Sequence, residues 1–407
     1  MEEYSGQNSS LKNNGILTIV LKEYLPATFD THQISEVAGE MLWHKYGNQI
    51  DVDFPSPKTG GRWILKSKGW VGHIPINSDL NITLSPKIPL SNLFRMLEYA
   101  YRLESFKFLH GLVQSDSIQD FYERLAKILA LKILDRGRKG LYRVYKPIKE
   151  TSTYIRGKLD TVRMIKKPWA VEKNCHYEDH TADIDDNQIL GWTLFKVARS
   201  GMCSERVLPS VRKAYRIIQG FTTLTPHLPS SCIKRLYNRL NNDYEPMHSL
   251  CRFFLEQTGP THEIGEKSVM PFIVDMSRLF ELFVAEWLKK NLPENLSLKA
   301  QERVDIGKDR IAHFNIDLVI YESETNVPKY VLDTKYKAPR APNPNDIAQI
   351  VAYSEIKDCK EAILIYPQAL EKPFDEWIGD NRVRSMAFNL DGDLDVAGVH
   401  LLNELLK

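Results

Sequence analysis

The stretch from residue 313 to residue 353, HFNIDLVIYESETNVPKYVLDTKYKAPRAPNPNDIAQIVAY, constrains the fold of this chain more than any other. Residues 314–321 and 329–335 are β-like runs, and the polar, proline-containing segment ESETNVP between them predicts a turn, so the two form a hairpin. Each run carries one carboxylate: Asp317 near the middle of the first, Asp333 near the end of the second. Asp333 and Lys335 are two apart, and side chains two apart on a strand share a face. Strand pairing can then bring Asp317 beside them. Carboxylates that converge on one small site repel unless a cation joins them, and the hard, oxygen-seeking cation that suits them is Mg²⁺, with Mn²⁺ as a substitute. A lysine at such a site could hold or help deprotonate a water. The competing reading of these residues is an ordinary cluster of charges at a strand end.

The flanks add to the pattern. After the hairpin, NPNDIAQIVAY begins with Asn and Pro suited to a helix N-terminus, then places Gln349 and Tyr353 at i, i+4 on one face. Before it, MSRLFELFVAEWLKK predicts an amphipathic helix with Glu281 set among Leu279, Phe280, Leu282 and Phe283. A carboxylate in such company is costly unless paired or bound to metal. Asp317, fifteen intervening residues and then Asp333-Thr334-Lys335 resembles the PD-(D/E)xK nuclease motif, with Asn315-Ile316 standing before the first aspartate where the motif has proline. Gln349 and Tyr353 resemble the Gln-x-x-x-Tyr element of many nucleases in that superfamily. The resemblance implies a Mg²⁺-dependent DNA endonuclease. In it Asp317, Asp333 and the Thr334 carbonyl hold the metal, and Glu281 serves a second metal or an outer-shell water. Lys335 orients or activates the attacking water, while Gln349 and Tyr353 support the site.

At 407 residues the chain is long enough for two or three domains, and 43% hydrophobic with 26% charged residues is the balance of a soluble globular protein. The net charge of +2 conceals local blocks. Residues 132–173 hold thirteen Lys or Arg against four acidic residues, whereas residues 371–407 carry a net −4. The basic block admits two readings, a solvated face with a hairpin or a track for DNA phosphates. In the second, Arg156, Lys158, Arg163, Lys166 and Lys167, interleaved with Tyr142, Tyr145, Tyr154 and Trp169, give affinity for double-stranded DNA without reading its sequence. Five cysteines without a C-x-x-C spacing indicate neither a zinc site nor a disulfide framework, and a reducing cytoplasm fits. His176, Glu178 and His180 lie in a segment, CHYEDHTADIDDN, that reads as an acidic loop rather than a metal motif. The polar N-terminus is unlike a signal peptide, and no apolar run approaches a membrane span. No phosphate-binding G-x-x-x-x-G-K-[ST] loop occurs, so no nucleotide is expected on this chain.

Taken in order, residues 15–25 are β-rich, 35–46 have helical spacing with Ser35 as N-cap, and short strands at 63–68, 70–75 and 81–84 precede a helix that buries Leu93, Met96, Leu97, Ala100 and Tyr101. Helical periodicity recurs at 117–138, 187–199, 207–220, 231–241 and 244–257, before Gly259-Pro260 breaks the chain. Strands are expected at 362–367, 384–389 and 396–401. The segment GHIPINSDLNITLSPKI leading into NLFRMLEYAY, the element YIRGKLD, the segment DDNQIL and Leu279-Phe280-Glu281 together resemble, in the same order, the McrC family, nuclease subunits of McrBC-type modification-dependent restriction systems. The expected architecture is therefore a multidomain α/β chain. A β-rich partner-docking domain (1–103) leads into a helical, basic middle (104–258) and a PD-(D/E)xK-like α/β core with a mixed sheet (259–407). The resemblance implies a hexameric McrB-like AAA+ GTPase partner whose hydrolysis the chain stimulates. Lys58 and Arg62, on an exposed Pro/Gly loop, are candidate contacts to it, and the nuclease domain is a candidate for homodimerisation. A standalone repair or mobile-element nuclease, or an assembly subunit without catalysis, are the alternatives.

Overall fold

The structure, a computed structural model, describes residues 10–13, 16–103, 117–166, 169, 171–259, 262–264, 267–269, 271–306, 312–337 and 339–407. It divides into two compact units, one made of residues 1–121 and 257–407, the other of residues 122–256.

In the first unit, the N-terminal strands form two sheets over one core. Leu80–Ser85 alternates buried and half-buried residues, the period of a strand with one face on the core. It lies between Ile16–Lys22, to which it runs parallel, and Trp70–Pro75, its antiparallel partner. The smaller sheet pairs Trp63–Ser67 with Pro26–Phe29 on one side and Ile50–Asp53 on the other. The helix Glu36–Tyr46 starts where Ser35 accepts a hydrogen bond from the Ala38 N–H at 3.3 Å. Phe29, Leu42, Tyr46, Trp63 and Leu65 join Ile82 in the shared core.

The outer strand of the larger sheet comes from far along the chain. Phe272–Asp275 pairs antiparallel with Trp70–Pro75, and Gly72 makes this possible: its φ is +150°, and a Cβ there would stand 2.2 Å from the Phe272 carbonyl oxygen. A fragment ending near residue 103 lacks this strand and leaves the Trp70–Pro75 edge open. The helix Leu90–Ala100 buries Leu93, Phe94, Met96, Leu97 and Ala100. From its first turn, the Asn92 amide donates to the carbonyls of Leu390 and Gly392 at 2.7 and 2.8 Å.

The rest of the unit is a mixed six-stranded sheet in the order Leu296–Ile306, Ala312–Glu322, Pro328–Thr334, Glu361–Tyr366, Asn381–Ala387, Asp375–Ile378. Its middle pairings, Pro328–Thr334 with Glu361–Tyr366 and Glu361–Tyr366 with Asn381–Ala387, are parallel. Glu361–Tyr366 is buried from its second residue onward, as a strand covered on both faces should be. The helices Met276–Asn291 and Pro344–Ile356 complete this half. The strand expected at 396–401 is instead part of the helix Leu394–Leu405. Asp393 caps it by accepting from the Asp395 and Val396 N–H groups, and the buried set Leu394, Gly398, Leu401 and Leu405 has helical, not alternating, period.

The second unit holds most of the helix Ile118–Lys139, the helices Asp185–Arg199, Leu208–Gln219 and Tyr244–Glu256, and a three-stranded antiparallel sheet. In that sheet Lys173–Thr181 pairs with Val144–Ser152 on one side and Lys158–Leu159 on the other, so the middle of the chain is less purely helical than its periodicity suggests. The first seven residues of the segment read as an acidic loop, CHYEDHT, lie in this central strand. At 231–241 the expected helix gives way to the short 3₁₀ turn Pro229–Cys232 followed by turns, because asparagine side chains capture the backbone locally. Asn241 accepts from the Asn238 N–H at 2.7 Å, and Asn238 from the Leu240 N–H at 2.8 Å. In the DDNQIL segment, fully buried Asn187 donates to the carbonyls of Tyr142 and Ala182 and accepts from the Tyr244 hydroxyl at 2.7 Å, a closed polar clamp. Among the described residues no helix is long and apolar enough to cross a membrane.

Candidate active site

The hairpin forms as its alternation predicts. Leu318 faces Leu332 and Val319 faces Val331, and continuing that register sets Asp317 beside Asp333. Thr334 ties the two strands there: its N–H donates to Asp317 Oδ2 at 3.2 Å, and its hydroxyl lies 3.3 Å from the same oxygen. Asp333, opposite Leu364 on the parallel neighbour, is only 1% exposed. The Lys335 N–H donates to the Ile365 carbonyl at 2.8 Å, which holds the backbone beyond the strand end. From there its ammonium reaches Asp333 Oδ2 at 2.6 Å and donates to Gln349 Oε1 at 3.1 Å.

Gln349 and Tyr353 lie on the helix Pro344–Ile356, whose start is fixed by Asn343 accepting from the Asn345 N–H at 2.9 Å. The Gln349 amide donates to the Tyr353 hydroxyl at 2.7 Å. The Tyr353 ring packs in the core beside Ile316 and Ile350, so one side chain serves both packing and the polar chain. Asp333, Lys335, Gln349 and Tyr353 thus form one continuous line.

Charge repulsion is built into the site. Burial, and then the charge of Asp317, push the Asp333 carboxyl well above the ordinary aspartate range, and the Lys335 ammonium only partly offsets them. Glu281 on Met276–Asn291 is pushed up to about 7 by burial and then by Asp317. Burial disfavours the charge of Lys335, yet Asp333 outweighs it and holds this ammonium above the usual lysine range. Lys335 therefore stands here as a positive charge between Asp333 and Gln349.

Glu281 is held by two neighbouring side chains. Arg278 donates to both of its oxygens at 3.2 and 3.1 Å, and Gln301 donates to Oε1 at 2.8 Å. Among the described residues no group of three or more His, Cys, Asp or Glu side chains is placed to share a metal ion. The hard-oxygen groups that meet at the hairpin are the carboxylates of Asp317 and Asp333. Such a set fits Mg²⁺, which keeps several waters and is typically held by one or two carboxylates. His176, Glu178 and His180 form no metal group either; His180 stacks on Tyr145 at 4.7 Å and His176 approaches Asp160 at 3.9 Å.

Sequence reasoning missed Arg278 and Gln301, which orient Glu281, and Asp346, which is 8% exposed and pairs with Lys337 at 2.5 Å. Asp346 adds its charge to those that sustain the Lys335 ammonium. Its position in NPND, in the first turn after an Asn cap, was the available signal. Tyr336 was also passed over, because nothing local distinguishes it from a core aromatic.

The remaining candidates belong to other stretches of the chain. Lys158 and Lys166 are exposed in the second unit. Arg156 lies over the Tyr177 ring at 4.0 Å and pairs with Asp179 at 3.1 Å. Lys167 and the side chain of Arg163 lie outside the described residues. Gly157 lets YIRGKLD pass close to the central strand: φ is +69°, and a Cβ would stand 2.6 Å from the His176 carbonyl oxygen. In the N-terminal module Lys58 is exposed on the one-turn helix Pro57–Thr59, closed by a Ser56–Thr59 capping box, and Arg62 pairs with Asp30 at 3.1 Å.

Comparison with curated proteins finds no sequence match. The chain is similar to a solved chain from an assembly of Thermococcus gammatolerans McrB AAA+ hexamers with bound McrC, at 17% identity and a TM-score of 0.54, over 95% of this chain and 100% of the other. A second solved chain, from the Thermococcus gammatolerans McrBC complex, matches at 18% identity and a TM-score of 0.45 over 68% of this chain and 88% of that one. The first establishes a shared fold. The family described as McrBC 5-methylcytosine restriction system component matches residues 65–367, most of the chain. This protein belongs to that family of McrBC restriction components.

Proposed function

We propose that this chain is the McrC-like nuclease subunit of its restriction system and hydrolyses DNA phosphodiester bonds with Mg²⁺. One observation carries the reading: Asp317 and Asp333 meet across paired strands with Lys335 joined to both Asp333 and the Gln349–Tyr353 pair. Asp317, Asp333 and the Thr334 carbonyl would hold the metal, which when bound supplies Lewis acidity and a water of lowered pKa. Glu281, held by Arg278 and Gln301, would serve a second metal or orient an outer-shell water. Lys335 offsets charge on the scissile phosphate as the attacking oxygen bonds to phosphorus and the leaving sugar oxygen departs. Gln349 fixes the Lys335 ammonium, and Tyr353 fixes Gln349.

The partner under this reading is a hexameric AAA+ GTPase, engaged through the N-terminal module with Lys58 and Arg62 as candidate contacts. Arg156, Lys158, Arg163, Lys166 and Lys167 are the candidate contacts to the phosphates of duplex DNA. Reconstitution tests this. The full chain, the cognate GTPase, GTP and Mg²⁺ should linearise plasmid carrying 5-methylcytosine, and omission of either protein should prevent it. Cleavage that needs no partner and no GTP would favour a standalone nuclease, and a complex that stimulates GTP turnover without cutting would favour an assembly role.

A further inference from the structure

The residue after Lys335 turns away from the site and is held by the N-terminal module. The Lys337 N–H donates to the Lys335 carbonyl at 2.8 Å, closing a three-residue γ-turn with Tyr336 at its centre. Lys335 and Lys337 reach the carboxylates of Asp333 and Asp346. Tyr336 is 4% exposed, and its hydroxyl donates to Glu23 Oε2 at 3.1 Å. The same oxygen accepts from the Lys87 N–H at 2.9 Å, while the Lys87 ammonium lies 4.5 Å from the centre of the Tyr336 ring.

Glu23 directly follows the strand Ile16–Lys22 and is itself tied down, its N–H donating to the Ser85 carbonyl at 3.1 Å. It is only 3% exposed. Burial raises the proton affinity of its carboxyl despite the Lys87 N–H and ammonium. An apolar pair would fill such a place at less cost, so a buried carboxylate here supplies direction rather than stability. Its direction is toward the turn that carries Lys335. The module also grips the other side of the site, because Phe272–Asp275 pairs with Trp70–Pro75 and the Met276 N–H, at the start of the Glu281 helix, donates to the Gly69 carbonyl at 3.1 Å.

We infer that Glu23 and Tyr336 are positioning residues for Lys335, so that the N-terminal module sets the geometry of the nuclease site through the Glu23–Tyr336 hydrogen bond. The inference rests on the nuclease reading above. Anything that shifts the end of Ile16–Lys22 when the module docks its partner reaches the Lys335 ammonium by this contact, without altering the DNA-contacting surface.

The test uses the full chain in complex with its GTPase, with 5-methylcytosine plasmid as the probe, and measures kcat and KM for cleavage beside GTP turnover. Tyr336→Phe keeps the ring and removes the donor; Glu23→Ala removes the acceptor; Glu23→Gln keeps an acceptor. Tyr336→Phe and Glu23→Ala should each lower kcat by about 10-fold or more, the scale on which a misplaced group costs rate, with KM and GTP turnover unchanged. The double variant should be no slower than the slower single variant, and Glu23→Gln should restore most of the rate. Wild-type kcat in Tyr336→Phe, multiplying losses in the double variant, or a loss of cleavage in step with GTP turnover and melting temperature would overturn the inference. A wild-type complex that binds its partner but never cuts DNA would bring down the nuclease reading itself, a result distinct from an active wild type with an equally active Tyr336→Phe.

Discussion

Replacing Glu281 by glutamine should make the protein more stable above neutral pH and leave it unchanged in acid. In the folded chain the Glu281 carboxyl is raised from 4.5 to about 7, first by burial and then by Asp317, against the opposing pull of Arg278. An acid with a raised folded pKa binds its proton more tightly folded than unfolded. Stability is therefore lost as pH rises from 4.5 to about 7, and the loss is complete above that window. At roughly 1.4 kcal/mol per pKa unit, the ionised carboxylate costs the fold about 3 kcal/mol. Glutamine keeps an acceptor oxygen for Arg278 and Gln301 but never ionises. Melting curves of wild type and Glu281→Gln in EDTA buffer, followed across that window, should coincide at the acid end and separate by about 6 °C at the alkaline end, at roughly 2 °C per kcal/mol for a unit of this size. Asp333, raised by burial and then by Asp317 against the pull of Lys335, titrates in both proteins, so the difference between them reads Glu281. A difference in melting temperature that stays constant with pH would refute the electrostatic account of the site.

Lys335→Ala should lower cleavage by about 10²–10³-fold, the usual cost of removing one preorganised charge from a transition state, without changing GTP turnover in the complex. Lys158→Glu together with Lys166→Glu should flatten the log–log salt dependence of DNA binding by about 0.9 per lost phosphate contact, measured by anisotropy across a salt titration; an unchanged slope returns that surface to plain solvation. Gly157→Ala forces a Cβ to within 2.6 Å of the His176 carbonyl oxygen at positive φ, so it should cost roughly 1–3 kcal/mol and speed amide exchange along Lys173–Thr181.

The parts of this fold legible in the sequence are those whose information is local. The hairpin announced itself through two apolar runs and a polar turn, and Gln349 with Tyr353 through i, i+4 spacing after an Asn-Pro start. Residues 396–401 misled because VAGVHL suits strand and helix alike; Asp393, three positions earlier, held the deciding cap. CHYEDHT looked like a loop because its strand is half-buried rather than buried over most of its length, so polar and charged residues occupy it. Long-range pairing left no local mark. Nothing in FIVD at 272–275 shows that it completes an N-terminal sheet, and nothing in TKYKA shows that Tyr336 is held by Glu23, more than 300 residues away.

The most direct test of the central claim is cleavage of 5-methylcytosine plasmid by the reconstituted complex carrying either wild-type chain or Asp333→Asn, in Mg²⁺ and again in Mn²⁺. Asp333 is buried at the strand end, is pressed by Asp317 and answered by Lys335, and has a neutral isostere of the same shape. The Asn variant should fold, bind its GTPase and stimulate GTP turnover as wild type does, yet leave the plasmid intact with either metal. Cutting by pure Asp333→Asn complex at the wild-type rate would show that the bond is broken elsewhere.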